Sequence, residues 1–140
     1  MDSTYVVGID VGGQTSKLGV VDARGTVLAQ TVIRTDTYSE IEPYIAELAD
    51  AVKKIIKDSG TEGKIKGIGV GAPNGNYYTG TIENAVNLTW GGANVVPFAK
   101  LLSEAMDGLP VALTNDANAA AVGEMTYGAA RGMKNFIMIT

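Results

Sequence analysis

Two residue types that carry much of protein chemistry are missing, since the 140-residue chain contains no cysteine and no histidine. Without cysteine it forms neither a disulfide nor a thiolate metal site, and without histidine it lacks the commonest metal ligand and general base. Its net charge of −4 argues against nucleic acid or an anionic membrane as the main partner. Histidine-dependent catalytic triads, zinc hydrolases and basic DNA-binding modules are therefore excluded within these residues.

Long apolar runs and export signals are missing as well. No run approaches the roughly 18 apolar residues that a membrane helix needs, and residues 1–4 have neither the basic nor the apolar region of a signal peptide. We therefore expect a cytoplasmic protein without a membrane segment. Hydrophobic residues make up 46% of the chain and charged residues 19%, which excludes a disordered tail or a coiled coil and predicts a domain with a real core.

The front of the chain has the pattern of a three-stranded antiparallel meander followed by a helix. Short turns join three runs rich in apolar and β-branched residues, at residues 5–9, 17–21 and 26–34. Residues 39–58 then place their apolar side chains on one stripe of a helix. Ser39 and Glu42 fit a capping box at the start of this helix, and Gly60 fits its end.

After this helix, strands and helices alternate. The predicted strands are residues 65–70 and 111–114, and the predicted helices are residues 96–106 and 116–127. The whole order is βββαβαβα, which predicts an α/β fold in which the meander continues into a parallel sheet. A last apolar strand over residues 136–140 has no partner after it, so we expect this chain to be the front part of a longer protein.

Residues 8–15 join the first two strands through an aspartate and a glycine pair. They match the P-loop pattern G-x-x-x-x-G-K-[ST] except at Gln14, where lysine is needed. A P-loop opens a helix, whereas residues 16–22 continue as a strand, so we reject that interpretation. In such a hairpin the glycines let backbone N–H groups approach an anion, and Asp10 can hold Mg²⁺ through water. The candidate phosphate-binding residues are Asp10, Gly12, Gly13, Gln14, Thr15 and Lys17. A plain hairpin whose aspartate caps the turn is the alternative.

Two further segments concentrate polar side chains. Residues 114–118 end a strand and open a helix, at the edge where ligands collect in open α/β sheets; a simple helix cap at Asn115 or Asp116 is the alternative. Residues 72–95 form a long irregular stretch rich in asparagine and glycine, whose donors and acceptors suit a polyhydroxylated ligand such as a sugar. Turn formation by the same residues is the alternative there, and we expect Trp90 to pack on the core.

Together these segments resemble the ROK family of sugar kinases and sugar-responsive repressors, which has the ribonuclease H-like, actin-like ATPase fold. The matching motifs are D-V-G-G at residues 10–13 with Lys17, G-V-G-A-P at 69–73, N-L-T-W at 87–90, and N-D-A-N-A-A-A at 115–121 with Glu124. They follow the family's order along the whole chain and are most similar to those of the bacterial glucokinase-type members. Family members usually have threonine at the position of Gln14 and glycine at the position of Asn74.

The resemblance implies an ATP- and Mg²⁺-dependent hexose kinase with glucose as the expected acceptor. Residues 10–15 are then the first phosphate loop, and Asp116 is the catalytic base. The implied sugar contacts are Asn74, Gly75, Asn87, Asn115 and Asp116. The resemblance also implies an actin-like ATPase subdomain over residues 1–128, the first strand of a second subdomain over 129–140, no zinc ligands in this chain, and a homodimer. A sugar-responsive repressor of the same family and a non-catalytic actin-like ATPase module are the alternatives.

Overall fold

A large and a small sheet organise the part of the chain that the computed structural model describes, which is residues 5–22, 24, 26–72, 75–76, 79–83, 85, 88–90 and 95–114. The elements in chain order are β1 (Tyr5–Val11), β2 (Thr15–Asp22), β3 (Val27–Arg34), α1 (Ile41–Ser59), β4 (Ile65–Gly71), β5 (Gly75–Asn76), β6 (Thr81–Glu83), β7 (Val95–Val96), α2 (Phe98–Ala105) and β8 (Val111–Thr114). The predicted helix at residues 116–127, the strand at 136–140 and the boundary at 128 lie outside the described residues.

The large sheet has the strand order β3-β2-β1-β4-β8. β1 pairs with β2, and β2 with β3, in antiparallel fashion, whereas β4 pairs in parallel with β1 and with β8. β2 alternates between buried and less buried side chains, whereas most residues of β1 and β4 are buried, as expected for strands in the interior of a sheet. The predicted meander that continues into a parallel sheet is confirmed.

The small sheet corrects the prediction of an irregular stretch over residues 72–95. β5 and β6 lie within it, and β7 begins at its last residue and includes Val96, where the second helix was predicted to begin; that helix begins at Phe98 instead. The three strands form an antiparallel sheet in the order β5-β6-β7. These strands have only two or three residues each, so they carry no alternation that could be recognised in the sequence. Between the first and second helices the described chain therefore has four strands, β4 to β7, where the predicted order βββαβαβα has one.

α1 packs its apolar stripe on one face of the large sheet. The buried residues of this helix are Tyr44, Ile45, Leu48, Ala49, Val52, Ile55 and Ile56. They share one core with Val7 and Ile9 of β1, Leu18 of β2, and Ile68 and Val70 of β4. Each fully buried Val, Leu or Ile side chain contributes roughly 1.5–3 kcal/mol relative to an exposed one, so the contact between α1 and the sheet contributes substantially to the stability of this region. Within the described residues no helix is long and apolar enough to cross a membrane.

The start of α1 differs from the prediction, and Pro43 explains why. The helix begins at Ile41 after Glu40, whose side chain makes no capping hydrogen bond, so the capping box of Ser39 and Glu42 does not form. With Ser39 as the cap, the N–H of residue 43 would have to donate to the Ser39 carbonyl, and proline has no N–H. The predicted end is confirmed, because Gly60 has a φ of 72° and its N–H donates to the carbonyl of Lys57 at 3.1 Å.

The register between β1 and β2 determines which face of the sheet each side chain occupies. Ile9 lies opposite Leu18 in the core under α1, so the next pair along, Asp10 and Lys17, belongs to the other face. Asp10 is also level with Gly71 of β4, which is level with Thr114 of β8. A single row across the sheet therefore connects the end of β1 to the end of β8.

Candidate functional site

The β1–β2 turn is a tight hairpin built around Gly12. The N–H of Gly12 donates to the carbonyl of Thr15 at 2.9 Å and closes the turn. A Cβ atom at residue 12 would lie 2.9 Å from that same oxygen, which is closer than real Cβ contacts, so only glycine fits without a shift. Because β2 begins at Thr15 and continues to Asp22, the rejection of a P-loop is confirmed. Gln14 is exposed and Gly13 and Thr15 are half-buried, so the turn is accessible from solvent.

Asp10 and Lys17 flank this hairpin on the face of the sheet away from α1. Lys17 is exposed, whereas Asp10 is half-buried and its Oδ1 atom is shielded from solvent. Magnesium uses one or two protein carboxylates and completes its shell with water and phosphate oxygens. A single carboxylate at the end of β1 fits that chemistry, and the described residues contain no cluster of three or more ligating side chains.

The row from Asp10 through Gly71 to Thr114 brings two predicted segments to one sheet edge. Neighbouring strands lie about 4.8 Å apart, so the end of β8 is about 10 Å from Asp10. Asn115 and Asp116 follow β8 directly in the sequence but lie, with Asn74 and Asn87, outside the described residues. Gly75 is described, begins β5, and donates its N–H to the carbonyl of Ala72 at 3.2 Å. Its contact with a sugar stays a prediction.

Trp90 packs in the core, as expected from the sequence. It is 4% exposed, and its ring stacks on Tyr44 with centroids 4.9 Å apart and planes inclined by 25°. Its Nε1–H donates to the carbonyl of Thr35 at 3.3 Å, and the hydroxyl of the preceding Thr89 donates to the carbonyl of Tyr38 at 2.6 Å. The end of the N-L-T-W motif is therefore tied to the segment between β3 and α1.

A buried hydroxyl cluster lies behind the hairpin and was missed by the sequence analysis. The Ser16 hydroxyl is hydrogen-bonded to those of Thr35 and Tyr44, at 2.6 Å each, and all three residues are fully buried. Burial raises the pKa of the Tyr44 phenol, so this group stays protonated and available as a donor. One feature of the sequence could have indicated this cluster. Ser16 is a polar residue on the same face of β2 as Leu18 and Val20, and that face is buried in the core.

An open groove of about 510 Å³ lies elsewhere, between the C-terminal ends of α1 and α2. Ile65, at the start of β4, forms part of its floor. Because β1 and β4 run parallel, this groove is at the opposite edge of the sheet from the hairpin. Among the described candidates, Asp10, Gly12 and Lys17 lie at the hairpin edge, which makes that edge the candidate site.

A model of the ROK family matches residues 6–140. The chain belongs to the ROK family. A glucokinase from Halalkalibacterium halodurans is 36% identical over 142 residues, which cover 100% of this chain and 42% of the relative. A xylose repressor from Caldicellulosiruptor bescii is 30% identical over 129 residues, covering 91% of this chain and 31% of the repressor. This ROK chain therefore spans less than half the length of these curated relatives.

Solved ROK structures match the fold. A ROK hexokinase from Thermus thermophilus is 34% identical, with a TM-score of 0.64 over 84% of this chain and 37% of the other. A ROK glucokinase from Streptomyces griseus, solved with glucose and AMPPNP, is 29% identical, with a TM-score of 0.63 over 91% of this chain and 38% of the other. These proteins have the actin-like ATPase fold, so the predicted fold class is confirmed.

Proposed function

We propose that the protein to which this chain belongs phosphorylates a hexose, with ATP as donor and glucose as the expected acceptor. The observation that carries the proposal is the row from Asp10 to Thr114, which puts the phosphate-loop candidate and the strand that leads to Asp116 at one sheet edge. Membership of the ROK family and the identity to a glucokinase support it. The homodimer and the cytoplasmic location expected from the sequence stay predictions.

Phosphoryl transfer depends on alignment and charge neutralisation more than on covalent chemistry. In this proposal the backbone N–H groups of residues 13–15, with the side chains of Gln14 and Thr15, hold the phosphate oxygens, while the Gly12 N–H closes the turn on the Thr15 carbonyl. Lys17 adds positive charge beside them. Asp10 would hold Mg²⁺ through water, and the ion would neutralise phosphate charge when bound.

The acceptor side of the reaction is assigned to the asparagine-rich segments and Asp116. Asn74, Gly75, Asn87 and Asn115 orient the sugar hydroxyls, and Asp116 accepts the proton of the hydroxyl that attacks phosphorus. A carboxylate is a weak base, but it suffices when the transition state is loose, because the sugar hydroxyl then loses its proton only late in the formation of the bond to phosphorus. The sequence predicts a helix over residues 116–127, and the positive end of such a helix would favour a carboxylate at its start.

Asp116→Asn in the full-length protein tests this assignment. We expect kcat to fall by roughly 10²–10⁴, the usual share of a positioned base, because asparagine cannot accept the proton. The unfolding free energy should change by less than about 1 kcal/mol, because asparagine caps a helix as well as aspartate does. Asp50→Asn, the same change at an exposed position of α1, is the matched control and should leave kcat unchanged.

The assay is a coupled measurement of ATP turnover with a panel of hexoses, alongside thermal unfolding. A kcat within a few-fold of wild type in Asp116→Asn would end the assignment of the base. Wild-type protein that phosphorylates no hexose would end the proposed function. Sugar-dependent DNA binding by that inactive protein would favour a repressor, the alternative that the identity to the xylose repressor supports.

A further inference from the structure

Thr35 contacts two candidate ligand-binding segments, which are the β1–β2 hairpin and, through Trp90, the segment of residues 72–95 that we call the sugar loop. It follows β3, is fully buried, and donates its N–H to the carbonyl of Gln14 at 2.8 Å. Its hydroxyl is hydrogen-bonded to that of Ser16 at 2.6 Å, so two of its three polar groups hold the phosphate hairpin. Its carbonyl accepts the Nε1–H of Trp90 at 3.3 Å, at the end of the N-L-T-W motif. One residue therefore bridges the hairpin and the candidate sugar loop.

A second route connects the same two loops. Tyr44 hydrogen-bonds to Ser16 through its hydroxyl at 2.6 Å and stacks on Trp90 through its ring at 4.9 Å. Ser16, Thr35, Trp90 and Tyr44 thus form a closed ring of contacts, which we call the Thr35 ring. A closed ring resists shear better than a single contact, because neither loop can shift without breaking one hydrogen bond or unstacking the aromatic pair.

Burial makes these contacts costly to break. Trp90 is 4% exposed and the other three members of the Thr35 ring are fully buried, so water has little access to replace a lost hydrogen bond. The hairpin turn itself is built on glycines, which do not hold a backbone in place by themselves. The Thr35 ring therefore ties the hairpin to the sugar loop through buried contacts that lie outside the turn.

We propose that Thr35 is a positioning residue that fixes the phosphate hairpin relative to the sugar loop. The inference rests on the proposed function and adds to it a residue in neither ligand contact set. In a reaction governed by alignment, a misplacement of about 1 Å costs up to about 10²-fold in rate. A loosened Thr35 ring lowers kcat while each ligand still binds its own loop.

Thr35→Val in the full-length kinase is the direct test, because valine keeps the shape and both backbone hydrogen bonds and removes only the hydroxyl. We expect kcat with glucose to fall by about 10-fold or more, with the dissociation constants of glucose and of AMPPNP each within about threefold of wild type. Thr35→Ser, which keeps the hydroxyl, should restore most of the rate. Trp90→Phe removes the donor to the Thr35 carbonyl and should give the same split between kcat and binding.

Thr61→Val is the matched control, since Thr61 is 2% exposed and its hydroxyl bonds to that of Ser59 at 2.8 Å, at the end of α1. It should lower the melting temperature without changing kcat. An unchanged kcat in both Thr35→Val and Trp90→Phe, beside an active wild type, overturns the positioning role alone. An equal loss of kcat in Thr61→Val overturns it too, because the effect would then follow stability. A wild type that phosphorylates no hexose overturns the proposed function and this inference together.

Discussion

Gly12→Ala tests whether the β1–β2 hairpin binds phosphate. The new Cβ would sit 2.9 Å from the Thr15 carbonyl oxygen, which is a backbone atom and cannot rotate away. The hairpin must open by some tenths of an ångström, and the Gly12–Thr15 hydrogen bond, now 2.9 Å, is strained with it. Overpacking of this kind costs about 1–3 kcal/mol, which is small beside a typical total stability of about 5–15 kcal/mol. The variant should therefore fold.

Nucleotide binding should suffer more than folding. The opening displaces the backbone N–H groups of residues 13–15, which the proposal assigns to the phosphate oxygens. We expect the dissociation constant of AMPPNP to rise by about 10-fold or more, equivalent to about 1.4 kcal/mol, and that of glucose to stay within about threefold. Calorimetry with each ligand separately, and urea unfolding of the same full-length preparation, measure both effects.

Gly63→Ala provides the matched control. Gly63 has a φ of 77°, and a Cβ atom at residue 63 would meet no described atom within 4 Å, so alanine there is strained but does not collide. Gly63 lies in the turn before β4, away from the hairpin. Alanine in this left-handed conformation costs about 1–2 kcal/mol of unfolding free energy, which is similar to the loss expected at residue 12. It should leave nucleotide affinity unchanged. Wild-type affinity for AMPPNP in Gly12→Ala would refute the phosphate assignment, and a matching loss in Gly63→Ala would trace the effect to stability.

Two further predictions concern single side chains. Asp10→Ala should weaken the use of Mg·ATP strongly and leave glucose affinity within about twofold in calorimetry; loss of sugar binding with intact ATP affinity would show that the loops are assigned wrongly. Burial raises the pKa of Tyr44 above its unfolded value near 10, so above about pH 10 the unfolded state gives up a proton that the folded state keeps. The unfolding free energy should then fall by up to about 1.4 kcal/mol per pH unit from this group, and Tyr44→Phe should remove that part of the slope in urea unfolding between pH 8 and 11. Identical slopes in the two proteins would contradict the burial of the phenol.

The parts of the fold that sequence predicts are those with a repeating hydrophobic pattern. β1 to β3 and α1 each extend over seven or more residues, which is long enough for alternation or a helical stripe to be recognised. β5 to β7 are too short to show a repeating hydrophobic pattern. The start of α1 depends on Pro43, which has no N–H to donate to the carbonyl four residues before it. The local hydrophobic pattern therefore predicts the long strands and helices, but it predicts neither the short strands nor the residue at which a helix begins.

The candidate site also has residues that could be predicted from the sequence and residues that could not. Asp10 and Gly12 could be predicted because an aspartate and a glycine pair at the end of a strand are adjacent in the sequence. The partners of Ser16 could not, because Thr35 and Tyr44 lie 19 and 28 residues further along and no local pattern links them. The fold brings them together only once β2, β3 and α1 have packed.

The hairpin residues and the buried residues behind them have complementary roles in the candidate site. A phosphate site made from backbone N–H groups needs positions without a side chain, and the collision that a Cβ atom would make at Gly12 shows that residue 12 has no room for one. Glycine leaves such a turn conformationally free, which is a poor property for a site that must align a phosphate. The missing rigidity therefore has to come from outside the turn, and the hydrogen bond from the Thr35 N–H to the Gln14 carbonyl supplies it from a distant part of the chain. A sequence motif of this type identifies where a ligand can approach, whereas the buried contacts behind it determine how well the ligand is held in line.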